Sequence, residues 1–225
     1  MIAIDGPAAS GKSSIGKMLA DKLGYLFFDT GVLYRAVTWA ALHQKISCSN
    51  EESLTELIAK TIIEVGSPSQ KDGRSADIII DGQDHSADIH SQEVDSHVSE
   101  VAKHAKVRMA LTTKMRQIGL SGNVVMVGRD VGTVILPEAE MKIYLEASAE
   151  ERARRRYKEQ TNKGEHPITY QQVLDTLLKR DYTDSHRAIA PLKAAEDALL
   201  IDTDGITQEK VICKITQYME LQQEL

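Results

Sequence analysis

Residues 6–14 read Gly6-Pro7-Ala8-Ala9-Ser10-Gly11-Lys12-Ser13-Ser14, which fills every position of the pattern G-x-x-x-x-G-K-S. Each defining residue has a physical task. Gly6 and Gly11 let the backbone wrap so that successive N–H groups point inward at an anion. A helix opening near Gly11 adds its positive end to the same spot. Lys12 supplies a cation for the outer phosphates, and the Ser13 hydroxyl is a ligand for Mg²⁺. The stretch Gly6–Ser14 is therefore expected to bind a nucleoside triphosphate, with Ser13 at the metal. A loose glycine pattern could arise by chance. Here the context required of the motif is present, with an apolar strand before it and an amphipathic helix after it.

Further charged groups fall where such a site would need them. Asp29-Thr30-Gly31 ends a second apolar run, and Tyr34 and Arg35 lie in the first turns of the helix that follows. Thr30 reads as that helix's N-cap. Gly128-Arg129-Asp130 comes directly after the apolar run Val124–Val127. Arg180, Asp184 and Arg187 are spaced i, i+4, i+7, which places them on one helix face. Spacing alone leaves that trio balanced between a solvated salt-bridge stripe and a binding face. Arg152, Arg154, Arg155, Arg156 and Lys158 crowd one short helix, and like charges at i, i+4 repel. Glu150, Glu151 and Glu159 offset only part of this, so a helix facing phosphates is favoured over an ordinary charged surface. His90, His97 and His104 recur every seven residues, about two helical turns apart, too far to share a metal. They read as surface histidines, whereas Trp39, Met18, Met115 and Met126 read as core or near-core.

These groups need a scaffold. Ile2–Asp5 is a short strand, and Ile15, Met18, Leu19 and Leu23 recur at helical spacing up to a stop at Gly24. Residues 25–29 form a second strand, so the chain starts as βαβ and predicts a parallel sheet. A helix to about His43, a linker at 47–50 and a helix from Glu51 follow. Thr61–Val65 and Asp77–Asp81 are β-like around the turn-rich 67–73, which suggests a hairpin-bearing insert. Helical spacing returns over 89–118. Val124–Val127 reads as a central parallel strand, and 142–145 as another. Helices at 149–160 and 169–188, a strand at 199–201 and a helix at 207–223 complete the chain. In open α/β sheets ligands bind at the carboxyl ends of the strands. That edge is where the loop at 6–14, the turn at 29–31 and the turn at 128–130 are all expected.

Composition limits the options. The chain has 225 residues, 42% apolar and 27% charged, as expected for a soluble globular protein. No apolar run approaches the roughly 20 residues of a membrane span. With a core strand expected from residue 2, no signal peptide is expected. The net charge of −6 argues against nucleic-acid binding. Cys48 and Cys213 are the only cysteines and match no metal or redox pattern. They read as packing residues in a reducing, cytoplasmic setting.

Taken in order, these motifs resemble bacterial cytidylate kinases over essentially the whole chain. The resemblance is carried by the loop at 6–14, by Asp29-Thr30-Gly31-Val32-Leu33-Tyr34-Arg35 and Ser91-Gln92-Glu93-Val94, and by Val107-Arg108 and Gly128-Arg129-Asp130-Val131-Gly132-Thr133. Glu150-Glu151-Arg152-Ala153, Arg180-Asp181 and Arg187-Ala188-Ile189-Ala190-Pro191-Leu192 complete it. It implies a P-loop three-layer α/β/α core over 1–61 and 104–225, with a nucleoside-monophosphate insert over 62–103 and a short lid over 152–166. It implies ATP, CMP and dCMP as nucleotides, Mg²⁺ as cofactor, and a cytoplasmic monomer with no nucleic-acid or membrane partner. By the same resemblance Gly6 to Ser14 hold ATP, and Asp29, Thr30, Tyr34, Arg35, Ser99, Arg108, Arg129, Asp130, Arg180, Asp184 and Arg187 line the CMP pocket. Lys12, Arg129, Arg152, Arg156 and Arg187 become the charge-neutralising catalytic set.

Two positions depart from the family pattern. Val127 stands where an aspartate often precedes Gly-Arg-Asp, which leaves Ser13 with Asp5 or Asp130 to support Mg²⁺. Ser13-Ser14 replaces a Ser-Thr or Gly-Thr pair but keeps a hydroxyl. A related kinase for shikimate or another nucleotide would share the loop but lack the long insert and the set Thr30, Arg180, Asp184. A GTP-binding switch would need N-K-x-D after an apolar strand. Asn162-Lys163-Gly164-Glu165 has Glu for Asp and follows a basic helix instead.

Overall fold

The computed structural model describes all residues except 67, 71–73, 75, 163–168, 224 and 225. The first strand, β1 (Ile2–Asp5), is buried along its whole length and pairs in parallel with β6 (Val124–Gly128) on one side and β7 (Met141–Glu146) on the other. With β2 (Leu26–Asp29) and β8 (Leu199–Asp202) the sheet runs β2-β6-β1-β7-β8, and β7 and β8 are also parallel. Strands covered on both faces carry continuous apolar runs, and the Val124–Val127 run, buried throughout, is one.

The chain divides into two compact units, 1–27 with 123–225, and 28–122. In the first, α1 (Lys12–Leu23) puts Ile15 and Leu19 into one apolar cluster with Ile4, Val125, Val127 and Ile143 of the sheet. It ends at Gly24 in the left-handed conformation, the usual glycine stop. Its close approach to the sheet depends on Gly16. A Cβ there would lie 2.5 Å from Val127 Cγ1 and 3.1 Å from the Phe27 ring. Helices α6 (Ala149–Asn162) and α7 (Tyr170–His186) bury Ala153, Val173 and Leu177 with Ala8 of the loop. Thr169 caps α7 in a reciprocal box with Gln172. The last helix, α8 (Gln208–Gln223), joins the main cluster through Val211, Ile212 and Ile215. A single π-turn at Val131–Ile135 follows β6, an element that apolar periodicity gives no reason to expect.

The second unit holds α2 (Gly31–His43), α3 (Glu51–Lys60), α4 (Gln92–Val101) and α5 (Ala105–Leu120). It also holds an antiparallel sheet, β3 (Ile63–Gly66), β4 (Asp77–Ile80) and β5 (Gln83–Asp84). The first two strands match the β-like stretches of the sequence, whereas the third is a two-residue strand too short for alternation to reveal. The turn expected at 67–73 falls largely outside the described residues. The helical stretch expected over 89–118 is broken at 102–104 into α4 and α5. Asn50 caps α3 by accepting from the Ser53 N–H.

Three local expectations need correction. Thr30 occupies the N-cap position of α2 but makes no side-chain cap. Asp29 Oδ1 accepts the Gly31 N–H instead, at 2.9 Å, and the Thr30 backbone is already helical rather than in the extended conformation usual at an N-cap. Cys48 is buried, whereas Cys213 is exposed on α8. His104 is half-buried, with Nε2 2.9 Å from the Cys48 carbonyl. Trp39 stacks on His43 and on His85, with ring centroids 5.0 and 3.8 Å away.

Candidate active site

The loop Gly6–Gly11 sits between the end of β1 and the start of α1. It bends through left-handed conformations at Gly6 (φ 148°), Ala9 (φ 59°) and Gly11 (φ 95°). Gly6 has no room for a side chain, since a Cβ would collide with the Leu145 carbonyl on the neighbouring strand. Ala9 in this region carries strain that L-residues adopt only where their surroundings impose it. The surroundings here are polar and specific. Arg152 Nη1 donates to the Ala8 carbonyl at 3.2 Å, and Thr203 Oγ1 donates to the Ser10 carbonyl at 3.4 Å. Lys12 is buried, its Nζ donating to the Pro7 carbonyl and to Ser10 Oγ. An ammonium is thus held in the concave side of the loop. Ser13 and Ser14 are exposed in the first turn of α1.

The turn after β6 lies beside this loop, because Asp5 and Gly128 are register partners on adjacent strands. Asp5 is buried and accepts from the Val131 and Gly132 amides at 2.8 and 2.7 Å. Burial pushes its carboxyl up to about 6, against the lowering effect of those two amides. Asp130 is equally buried and receives Arg187 Nη2 at 3.4 Å. Val127 lies inside the apolar cluster with Ile4 and Ile15.

Arg129 reaches α7, where its Nε donates to Asp184 Oδ2 at 3.0 Å. Arg187 Nη1 lies 3.8 Å from Asp184 Oδ1, and Arg187 Nε donates to the Ala190 carbonyl at 2.6 Å. Burial alone would raise the Asp184 carboxyl. Arg129, Arg180 and Arg187 reverse this and hold it below the usual carboxylate range. Within the first unit, then, Arg129, Asp130, Arg180, Asp184 and Arg187 form one network. The i, i+4, i+7 trio gathers on a buried Asp184 with Arg180 and Arg187 half-buried around it, although Arg187 stands at the C-cap of α7 with an extended backbone.

The arginines of α6 divide. Arg152 is buried. Besides Ala8 it donates to the Ala147 carbonyl at 3.0 Å and pairs with Asp181 of α7 at 2.7 Å. Arg154 and Arg155 share the Glu151 carboxylate, and Arg155 Nη2 also donates to the Thr203 carbonyl at 2.6 Å. Arg156 pairs with Glu159 at 3.1 Å. The like-charge crowding seen in the sequence is thus relieved by acceptors within the chain. Of the expected lid over 152–166, residues 163–166 lie outside the described residues, as does most of the Asn162–Glu165 near-motif.

In the second unit, Arg35 donates to the Ile89 carbonyl at 3.0 Å and to Asp95 Oδ1 at 2.5 Å. The buried Arg108 guanidinium stands over the Tyr34 ring, 5.4 Å from its centroid, with Nη1 donating to the Ala102 carbonyl at 3.1 Å. Ser99 is partly exposed on α4. The sequence reading had no route to Asp95, Thr203 or the Arg152–Asp181 bridge, since no fixed spacing links them to the residues they touch.

A strand, a glycine-rich loop, a lysine at the head of a helix and a parallel sheet define a P-loop protein of the kinase type. The shikimate kinase from Bacteroides thetaiotaomicron shares that fold with a TM-score of 0.50 at 13% identity, over 97% of each chain. The family is fixed by sequence. Residues 2–221 match the family model described as cytidylate kinase. The cytidylate kinase of Bacillus subtilis (strain 168) is 44% identical over 219 residues, 97% of this chain and 96% of its own length. That of Herpetosiphon aurantiacus is 48% identical over 210 residues, 93% of this chain and 90% of its own. The chain belongs to the cytidylate kinase family.

Proposed function

We propose that this enzyme transfers the γ-phosphoryl group of ATP to CMP and dCMP, giving ADP and the diphosphate. The observation that carries the reading is the family match across residues 2–221. It is supported by Lys12 inside a fully formed loop and by the Arg129–Asp184–Arg187 network on the same unit.

The acceptor is a phosphate oxygen, whose second pKa of about 6 leaves it ionised near pH 7. No general base is required, and the barrier is the approach of two polyanions. Loop amides and Lys12 take the donor phosphates, while Arg129, Arg152, Arg156 and Arg187 supply the neutralising charge. Asp29, Thr30, Tyr34, Arg35, Ser99, Arg108, Arg129, Asp130, Arg180, Asp184 and Arg187 form the acceptor pocket, with 62–103 as the monophosphate-binding insert and 152–166 as the lid. Residues 1–61 and 104–225 make up the remaining core. Excluding water at closure keeps the reaction from becoming ATP hydrolysis.

Among the described residues no three His, Cys, Asp or Glu side chains converge on a metal position. The exposed Ser13 hydroxyl would serve as the protein ligand for Mg²⁺, with Asp5 or Asp130 behind it. Bound there, Mg²⁺ would offset phosphate charge. Among the described residues no helix is long and apolar enough to cross a membrane. Action as a monomer in the cytoplasm, without nucleic-acid or membrane partners, completes the reading.

A coupled ADP-release assay across CMP, dCMP, UMP, AMP, GMP and shikimate tests the assignment. CMP and dCMP are expected to give the highest kcat/KM. Preference for UMP, AMP or shikimate would overturn it.

A further inference from the structure

We infer that Asp95 is a positioning residue for the acceptor side of the reaction, acting through Arg35. The inference rests on the reading of Arg35 as a ligand of the acceptor phosphate. Arg35 lies in the second turn of α2, its side chain only 16% exposed. A guanidinium on a flexible stem loses considerable rotamer freedom when it must meet a phosphate in one orientation. Here two contacts remove that freedom beforehand. Nη1 donates to the Ile89 carbonyl at 3.0 Å and Nη2 to Asp95 Oδ1 at 2.5 Å.

These anchors come from the 3₁₀ turn Asp88–His90 and from the first half of α4. The guanidinium plane is therefore set by backbone and carboxylate together. Among the described residues, two of its five N–H groups are engaged, which leaves three for an anion. The same stretch is tied to α2 a turn further on, where His85 stacks on Trp39 with ring centroids 3.8 Å apart and its Nδ1 lies 2.8 Å from Asp88. Ser91 caps α4 by accepting the Val94 N–H, which fixes where Asp95 stands. Among the described residues Asp95 is the charged partner of Arg35, and at 32% side-chain exposure it needs little desolvation to hold this pair.

A carboxylate beside the cation could instead weaken capture of a dianion by competing for it. Geometry decides between the two. Asp95 occupies one end of the fork and the Ile89 carbonyl another, so a phosphate can meet the remaining edge without displacing either.

The test is steady-state kinetics of Asp95→Ala, Asp95→Asn, Arg35→Met and the double variant Asp95→Ala/Arg35→Met. Losing a hydrogen bond to a charged group corresponds to about 10- to 100-fold. Asp95→Ala is expected to raise KM for CMP by about tenfold or more with little change in KM for ATP. Asp95→Asn keeps an acceptor oxygen and is expected to recover most of that loss. In the Arg35→Met background Asp95→Ala should add nothing. If Arg35→Met raises KM for CMP while Asp95→Ala lowers it or leaves it unchanged, the positioning role is wrong and competition or indifference is right. If Arg35→Met itself leaves KM for CMP unchanged, the underlying reading of Arg35 fails instead. An equal rise in both KM values for Asp95→Ala, unrescued by Asn, would mark a merely structural residue.

Discussion

Lys12→Ala lowers kcat by about 10²–10³ or more, the cost of removing one preorganised donor from a site that stabilises developing charge, and leaves the enzyme folded. The side chain is buried in the concave face of its loop, bonded to the Pro7 carbonyl and Ser10 Oγ. Its ammonium is desolvated there, a cost that the loop's acceptors offset. Removing the charge therefore relieves desolvation while losing the hydrogen bonds to Pro7 and Ser10, and the net effect on stability is small. The loop is held from outside by Arg152 at Ala8 and Thr203 at Ser10, contacts that alanine at position 12 does not touch. Lys12→Met, which keeps the stem volume, should match Lys12→Ala in rate and exceed it in melting temperature. Retained kcat in either variant would remove Lys12 from the mechanism, and global unfolding of both would make it a structural residue.

The second large effect concerns Asp184. It is the carboxylate shared by Arg129 and Arg187, with Arg180 within electrostatic reach. Removing one partner from a buried ion cluster leaves uncompensated charge. Asp184→Ala is expected to cost about 3–5 kcal/mol in stability, measured by urea unfolding, and to abolish CMP binding in calorimetry. The pH dependence has a definite sign. The native carboxyl is held below its ordinary value, so its contribution is complete above the unfolded-state pKa and is lost as pH falls through the native one. Wild-type stability should fall in acid more steeply than that of Asp184→Asn. Equal acid profiles, or unimpaired CMP binding by Asp184→Ala, would return the cluster to a surface salt-bridge stripe.

Local chemistry made the donor side legible in the sequence. The G-x-x-x-x-G-K-S spacing, an apolar strand before it and helical periodicity after it are consecutive along the chain, and the structure places them together as read. The parallel sheet was legible for the same reason, through unbroken apolar runs such as Val124–Val127. What escaped was set by tertiary pairing. Asp95 lies 60 residues from Arg35, and Arg152 meets Asp181 through the packing of α6 on α7. Counting charges along α6 suggested an excess needing an external anion. It could not show that Glu151 serves two arginines or that the Thr203 carbonyl, 48 residues away, takes one of them. Val127 is a similar case. Beside the Gly-Arg-Asp turn it looked like a missing carboxylate, yet its side chain fills the space above Gly16 in the apolar cluster.

The central claim is that phosphoryl transfer ends on the monophosphate. Following the enzyme with ATP, CMP and Mg²⁺ by phosphorus NMR measures this directly. The expected result is growth of the CDP β-phosphorus signal in step with ADP, absent with Lys12→Ala and with little inorganic phosphate. Growth of ADP and inorganic phosphate without CDP would contradict it.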